Sequence, residues 1–203
     1  IRFHTIYWPC FLMSLDIPMP KQVFGHPWLI MSDGKMSKSI GNVVYADDLV
    51  DEFGVDAVRY YFLHEIPFSS DGVFTRDLLI ERINGDLANI LGNLVQRTIS
   101  MGNKYFDGKI TNKGVEDTMD KEFISKINNL YDKVSEKMDK LQISDSLTEI
   151  FDVLRASNKY IDDTMPWALA KEEDKADRLE TVLYNLLESI RVCGLLLNPF
   201  LTD

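Results

Sequence analysis

Apolar residues recur at three- and four-residue spacing through most of the chain beyond residue 75, and that period predicts helices. Leu79, Ile83, Leu87, Ile90, Leu91 and Leu94 form one stripe, with Thr75 ahead of it as a candidate N-cap. If unbroken, this first helix runs from 75 to 101, and Phe106-Asp107-Gly108-Lys109 then turns the chain. A second stripe, Phe123, Ile127, Leu130, Val134 and Met138, predicts a helix over 120–140. A third, Leu147, Ile150, Phe151, Leu154 and Ile161, predicts one over 144–163, stopped before Pro166. A fourth helix is expected over 176–197. Four amphipathic helices with short connections make an antiparallel bundle.

The first third reads differently. Residues 3–15 are apolar and helical in pattern, with Pro9 expected to kink or break the helix. Residues 21–31 carry β-type residues around Gly25 and Pro27 and predict one or two short strands. Residues 47–54 read as a short helix with acids at its start and Gly54 as its stop. Asp56 is the candidate cap of a further helix running to Glu65, and 67–74 reads as a loop. The fold class is therefore mainly α: a helical bundle over 71–203, preceded over 1–70 by a small α/β unit, with the boundary at 68–74.

Bulk properties narrow the chemistry. No stretch approaches the roughly 18 apolar residues of a membrane span, so no membrane partner is expected. The opening Ile1-Arg2-Phe3-His4 is unlike a signal peptide. With its apolar end, it reads as a chain cut at both ends. Cys10 and Cys193 form no CxxC, which fits two reduced thiols in a cytoplasmic protein and no metal site. The net charge is −10, and residues 69–203 hold 17 basic against 24 acidic side chains. That balance argues against a diffuse attraction for nucleic acid, so any RNA must be held by local contacts and stacking.

One segment carries chemistry. Lys35-Met36-Ser37-Lys38-Ser39 lies between Gly34 and Gly41 and reads as a mobile cationic loop. Its ammonium groups, hydroxyls and backbone N–H groups suit a polyanion whose charge grows in a transition state. The string resembles the KMSKS signature of class I aminoacyl-tRNA synthetases. Arg2-Phe3-His4-Thr5-Ile6-Tyr7-Trp8-Pro9 precedes it. Asp56-Ala57-Val58-Arg59-Tyr60-Tyr61-Phe62-Leu63, Asp71-Gly72-Val73-Phe74, Asn93-Leu94-Val95-Gln96-Arg97 and Pro166-Trp167 follow. That ordered set resembles the methionyl-tRNA synthetase family along the whole chain.

The resemblance implies several roles. Residues 35–39 would contact ATP, with Lys35 and Lys38 on its phosphates and Lys38 in the larger transition-state role. His4 would line the methionine pocket. Asn93, Arg97 and Trp167 would read the anticodon of methionine tRNA, the Trp stacking on a base while Asn and Arg bond base edges; Asn89, one turn back, could assist. Asp71-Gly72-Val73-Phe74 would be a structural junction. ATP with Mg2+, methionine and methionine tRNA are then the substrates. The chain alone would not form adenylate, because the family's HIGH signature belongs to sequence upstream of Ile1. Other class I synthetases (leucyl, isoleucyl, valyl, cysteinyl) and a non-catalytic RNA- or protein-binding module remain the alternatives.

Overall fold

A computed structural model describes residues 1–31, 41 and 43–202 of the chain. It opens with a π-helical turn, Phe3–Tyr7, that runs directly into α1, Trp8–Ser14. Pro9 falls in the first turn of α1, at its junction with the π-helical turn, so its absent N–H lies where the pitch changes. The expected interruption at Pro9 is thus a change of pitch. No side chain of either segment is buried.

β1, Leu29–Met31, pairs in parallel with β2, Gly72–Phe74, in the register Leu29↔Gly72, Ile30↔Val73 and Met31↔Phe74. Residues 72–74 are therefore a strand and not part of a loop. Their pattern of buried, exposed, buried is too short to stand out in a sequence. The Trp28 N–H donates to Asp71 Oδ1 at 2.9 Å, which extends the pairing by one residue.

Between the strands lie α2, Ala46–Phe53, and α3, Val55–Glu65. Asp47 and Asp48 occupy the first turn of α2. Gly54 separates the helices with φ +83°, a conformation that disfavours side chains. Gly54 is also the N-cap of α3, so Asp56 does not cap it. Asp56 Oδ1 instead accepts the Thr202 N–H at 2.7 Å, drawing the end of the described chain onto α3. Arg59 donates to the carbonyls of Pro199 and Phe200, each at 2.9 Å, and reinforces that clasp.

Thr75 is the N-cap of α4, Arg76–Arg82, and accepts the Leu78 N–H. The helix expected over 75–101 changes pitch in its middle. A π-helical stretch, Ile83–Gly92, joins α4 to α5, Asn93–Phe106. An i→i+5 ladder shifts the phase of every residue beyond it. The helix expected over 120–140 is two: α6, Thr118–Asn128, and α7, Leu130–Asp139. Asn129 between them has ψ −5°, and its amide faces Ser125 Oγ at 3.3 Å, a local bond that competes with helix geometry. Then come α8, Ile143–Thr164, the short α9, Pro166–Leu169, and α10, Ala176–Leu197.

The bundle core gathers Leu94, Phe123, Ile127, Leu147, Phe151, Leu183 and their neighbours. A smaller cluster holds Leu49, Val58, Tyr61, Phe74 and Leu79. α3 is the wall between them: Tyr60 is buried in the first and Tyr61 in the second, both 0% exposed. Tyr60 packs on Phe151 with ring centroids 4.9 Å apart, and its hydroxyl donates to the buried Asp86 at 2.9 Å.

Candidate functional site

The corner after α8 presents a large aromatic to solvent. Met165 adopts a left-handed conformation, φ +46°, and its N–H still bonds the Ile161 carbonyl. Pro166 then starts α9 and is buried. The next residue, Trp167, is swung outward and remains 43% exposed. A tryptophan held open at a helix corner offers a flat apolar face with an N–H at its edge.

Across from this corner runs α5. Arg97 Nη2 donates to Asp162 Oδ1 on α8 at 2.9 Å. Arg97 and Trp167, 70 residues apart in sequence, line one cleft of about 420 Å³ with Gln96, Ser100, Met101, Lys104 and Tyr105. That volume lies in the roughly 300–1,000 Å³ range of ligand clefts. Asn93 is exposed one turn before Arg97 on the same helix, but it is not part of the cleft wall. Asn89 sits in the π-helical stretch, also exposed.

Several cleft residues escaped the sequence reading although a signal existed. Gln96, Ser100 and Lys104 follow Asn93 at i+3, i+7 and i+11, the spacing of one helical face. Tyr105 and Met101 flank that row. Asp162 had no such signal, because its meeting with Arg97 depends on how α5 and α8 pack.

A buried network supports the corner. Asp120 on α6 is the N3 member of a capping box with Asp117, and its side chain is fully buried. It receives the Tyr160 hydroxyl from α8 and both Nη groups of Arg178 from α10, the latter at 2.8 and 3.1 Å. Asn185 donates to the same Tyr160 hydroxyl at 3.3 Å. Burial, and next the bond to Asp120, push the Tyr160 hydroxyl well above the ordinary phenol range. Tyr160 therefore acts as a fixed donor. Its ring stacks on Phe123 at 4.4 Å. Three helices are thus pinned one turn before Thr164, where the chain breaks toward Trp167.

The other expected site residues lie at the opposite end of the chain. His4 is exposed on the π-helical turn and lines an open hollow of about 940 Å³ with Trp8, Phe24, His26 and Trp28 among its walls. Lys35, Met36, Ser37, Lys38 and Ser39 lie outside the described residues. Among the described residues no group of three His, Cys, Asp or Glu side chains could hold a metal ion. Cys10 is exposed; Cys193 is buried in the core, where burial pushes its thiol up to about 12.

Comparison with known proteins identifies both parts of the chain. Residues 1–99 match the family profile "tRNA synthetases class I (M)", and residues 120–203 match "Anticodon-binding domain of tRNA ligase". The fold is that of a class I synthetase carrying a helical anticodon-binding domain. The methionine–tRNA ligase of Caldanaerobacter subterraneus subsp. tengcongensis is 56% identical over 203 residues, which is 100% of this chain and 32% of that protein. That of Clostridium acetobutylicum is likewise 56% identical over the same shares. The structure of Mycobacterium tuberculosis methionyl-tRNA synthetase in complex with methionyl-adenylate superposes with a TM-score of 0.94 at 39% identity, covering 100% of this chain and 40% of that one. The chain belongs to the methionyl-tRNA synthetase family. It spans about a third of the length of the relatives it matches.

Proposed function

We propose that this chain serves a methionine–tRNA ligase, which activates methionine with ATP and transfers it to methionine tRNA. In this reading residues 1–70 end the catalytic domain and residues 71–203 form the anticodon-binding bundle. The observation that carries it is the cleft in which an outward-facing Trp167 and the guanidinium of Arg97 meet. An unpaired anticodon base stacks on an aromatic plane and offers its edge to charged and amide donors. Asn93, exposed one turn along α5, supplies the amide. The chain's net charge of −10 supports base contacts over diffuse phosphate attraction.

At the other end, Lys35 and Lys38 with Met36, Ser37 and Ser39 contact ATP, which enters with Mg2+ as substrate. Adenylate formation is an in-line attack by the methionine carboxylate on the α-phosphate. Pyrophosphate leaves, so the catalyst's task is to position the groups and neutralise growing charge. Lys38 does most of the latter. His4 faces the methionine side chain. The relative seen with methionyl-adenylate supports this half of the reading.

The test uses the longer enzyme that contains this chain. Trp167→Ala should lower tRNA charging by roughly fivefold to 150-fold, the value of one lost base stack. ATP–pyrophosphate exchange should stay near the parental rate. Lys38→Ala should show the reverse order, losing about 100-fold or more in exchange. Charging by Trp167→Ala at the parental rate would refute the anticodon role. An unchanged exchange rate in Lys38→Ala would refute the role of the lysine.

A further inference from the structure

The cleft is longer than one base needs. Along α5 its lining runs from Gln96 to Lys104, which at 1.5 Å per residue is roughly 12 Å of helix face. Successive bases on one strand stack at only about 3.4 Å. Arg97 and Trp167 account for one position. Ser100 and Lys104 continue the same face beyond them.

Neither side chain makes a hydrogen bond or ion pair among the described residues. Some helical hydroxyls of the bundle bond the carbonyl four residues back, as Ser146 does to Gln142, Ser157 to Val153 and Thr164 to Tyr160, whereas the buried Thr98 hydroxyl on α5 has no partner among the described residues. The Ser100 hydroxyl makes no hydrogen bond among the described residues. Some lysines of the bundle are tied to carboxylates. Lys126, Lys133 and Lys140 each pair with a glutamate at 3.2, 3.1 and 2.6 Å. Lys104 has no carboxylate partner among the described residues; its ammonium lies over the Tyr105 ring, 5.2 Å from the centroid. Arg97, the other cation of the cleft, is already engaged by Asp162. In a chain of net charge −10, Lys104 is therefore a positive charge left available beside an aromatic stacking platform.

We propose that Lys104 and Ser100 form a backbone subsite, in which the Lys104 ammonium and the Ser100 hydroxyl hold the phosphate next to the base stacked on Trp167. The ligand class is single-stranded RNA, and the proposal rests on the anticodon reading of the Trp167 cleft. A phosphate contact fixes the register of a strand without reading its sequence. Lys104 would thus set which nucleotide reaches Trp167, while Trp167 and Arg97 read it.

The experiment titrates the full 203-residue chain with the anticodon stem-loop of methionine tRNA, over a series of salt concentrations. Lys104→Gln should weaken binding by a similar factor for loops of every anticodon sequence. It should also make the salt dependence shallower by about 0.7 in the slope of log K on log salt, the value of one phosphate on a single strand. Lys104→Arg should keep the parental slope. Trp167→Ala should lower affinity with the slope unchanged. A parental slope and affinity in Lys104→Gln, alongside a loss in Trp167→Ala, would overturn the backbone subsite and leave the anticodon reading standing. A shallower slope in Lys104→Gln with no loss in Trp167→Ala would overturn the anticodon reading and support the phosphate contact. No binding by the parent chain would overturn both. Lys104 is on the surface of α5, so folding of its variants should match the parent by thermal unfolding.

Discussion

Asp120 shows how one side chain organises several elements. It caps α6, binds Arg178 through both carboxylate oxygens and accepts the Tyr160 hydroxyl, with its own side chain fully buried. Replacing a member of such a network leaves its partners without compensation in a low-dielectric site. Asp120→Ala would leave the Arg178 guanidinium, which is 16% exposed, with Asp117 at 3.1 Å as its one carboxylate, strip the buried Tyr160 hydroxyl of its acceptor and remove a cap at the same time. We expect a loss of about 3–5 kcal/mol, read from the urea midpoint of unfolding. A midpoint within error of the parent would mean that Asp117 and water replace it. Asp162 works differently. Its side chain is 64% exposed beside Arg97, so its effect on stability should be small, and its importance is where it holds the guanidinium.

At the scale of elements, the joint between the α/β unit and the bundle is narrow and tightly built. β2 enters it through Gly72, where a Cβ would lie 2.5 Å from Ile66 Cγ2 and 3.0 Å from Ile66 Cβ. Ile66 is branched at Cβ, so it cannot swing clear through a terminal rotation. Gly72→Ala should displace β2 from β1 and lower stability by about 1–3 kcal/mol, as overpacking does. The double variant Gly72→Ala, Ile66→Ala should be less destabilised than the two single losses added together, because the clash is gone. Additive losses in urea unfolding would rule out the clash as the cause. α3 shares this joint. Ser144 Oγ on α8 donates to the His64 carbonyl, and the Tyr61 hydroxyl donates to the Val73 carbonyl at 3.2 Å. One helix is therefore bonded both to the bundle and to the strand pair.

At the scale of the whole molecule, charge sets the response to acid. Burial alone would push the Glu180 carboxyl up. The N–H and hydroxyl of Thr111, both at 2.7 Å, with Lys113 nearby, outweigh it and hold the carboxyl below its ordinary 4.5. Glu136 and Glu188 are lowered by their bonds to Lys140 and Arg191. A carboxyl whose folded pKa is depressed contributes stability above its unfolded pKa and loses it as pH falls through the folded value. Stability should therefore be level near neutrality and fall as pH drops below about 4.5. Glu180→Gln should flatten that fall in pH-dependent urea unfolding, and an identical slope would exclude Glu180 as a contributor. The surface pairs of Glu136 and Glu188 should add little and lose what they add in salt.

Much of this architecture was legible in the chain itself, because it follows from local rules. The 3.6-residue spacing of Phe123, Ile127, Leu147, Phe151 and Leu154 marked the core faces, and all five are buried. Thr75 was readable as a cap and Gly54 as a stop, since capping and left-handed backbone depend on residue type. The order of short motifs was enough to indicate the family. The π-helical stretch Ile83–Gly92 was not legible, because a widened turn is selected by packing and leaves no spacing signature of its own. Nor was the pairing of β2 with β1, two three-residue strands more than forty residues apart. The same holds for Asp56, which resembles a cap locally and serves as an acceptor for Thr202, 146 residues away. The cleft divides along that line. Its row on α5 could be read from helical periodicity, whereas the approach of Trp167 and Asp162 was decided only by the packing of α8 against α5. Periodicity orders residues along one element; which side chains face one another across two elements depends on tertiary packing.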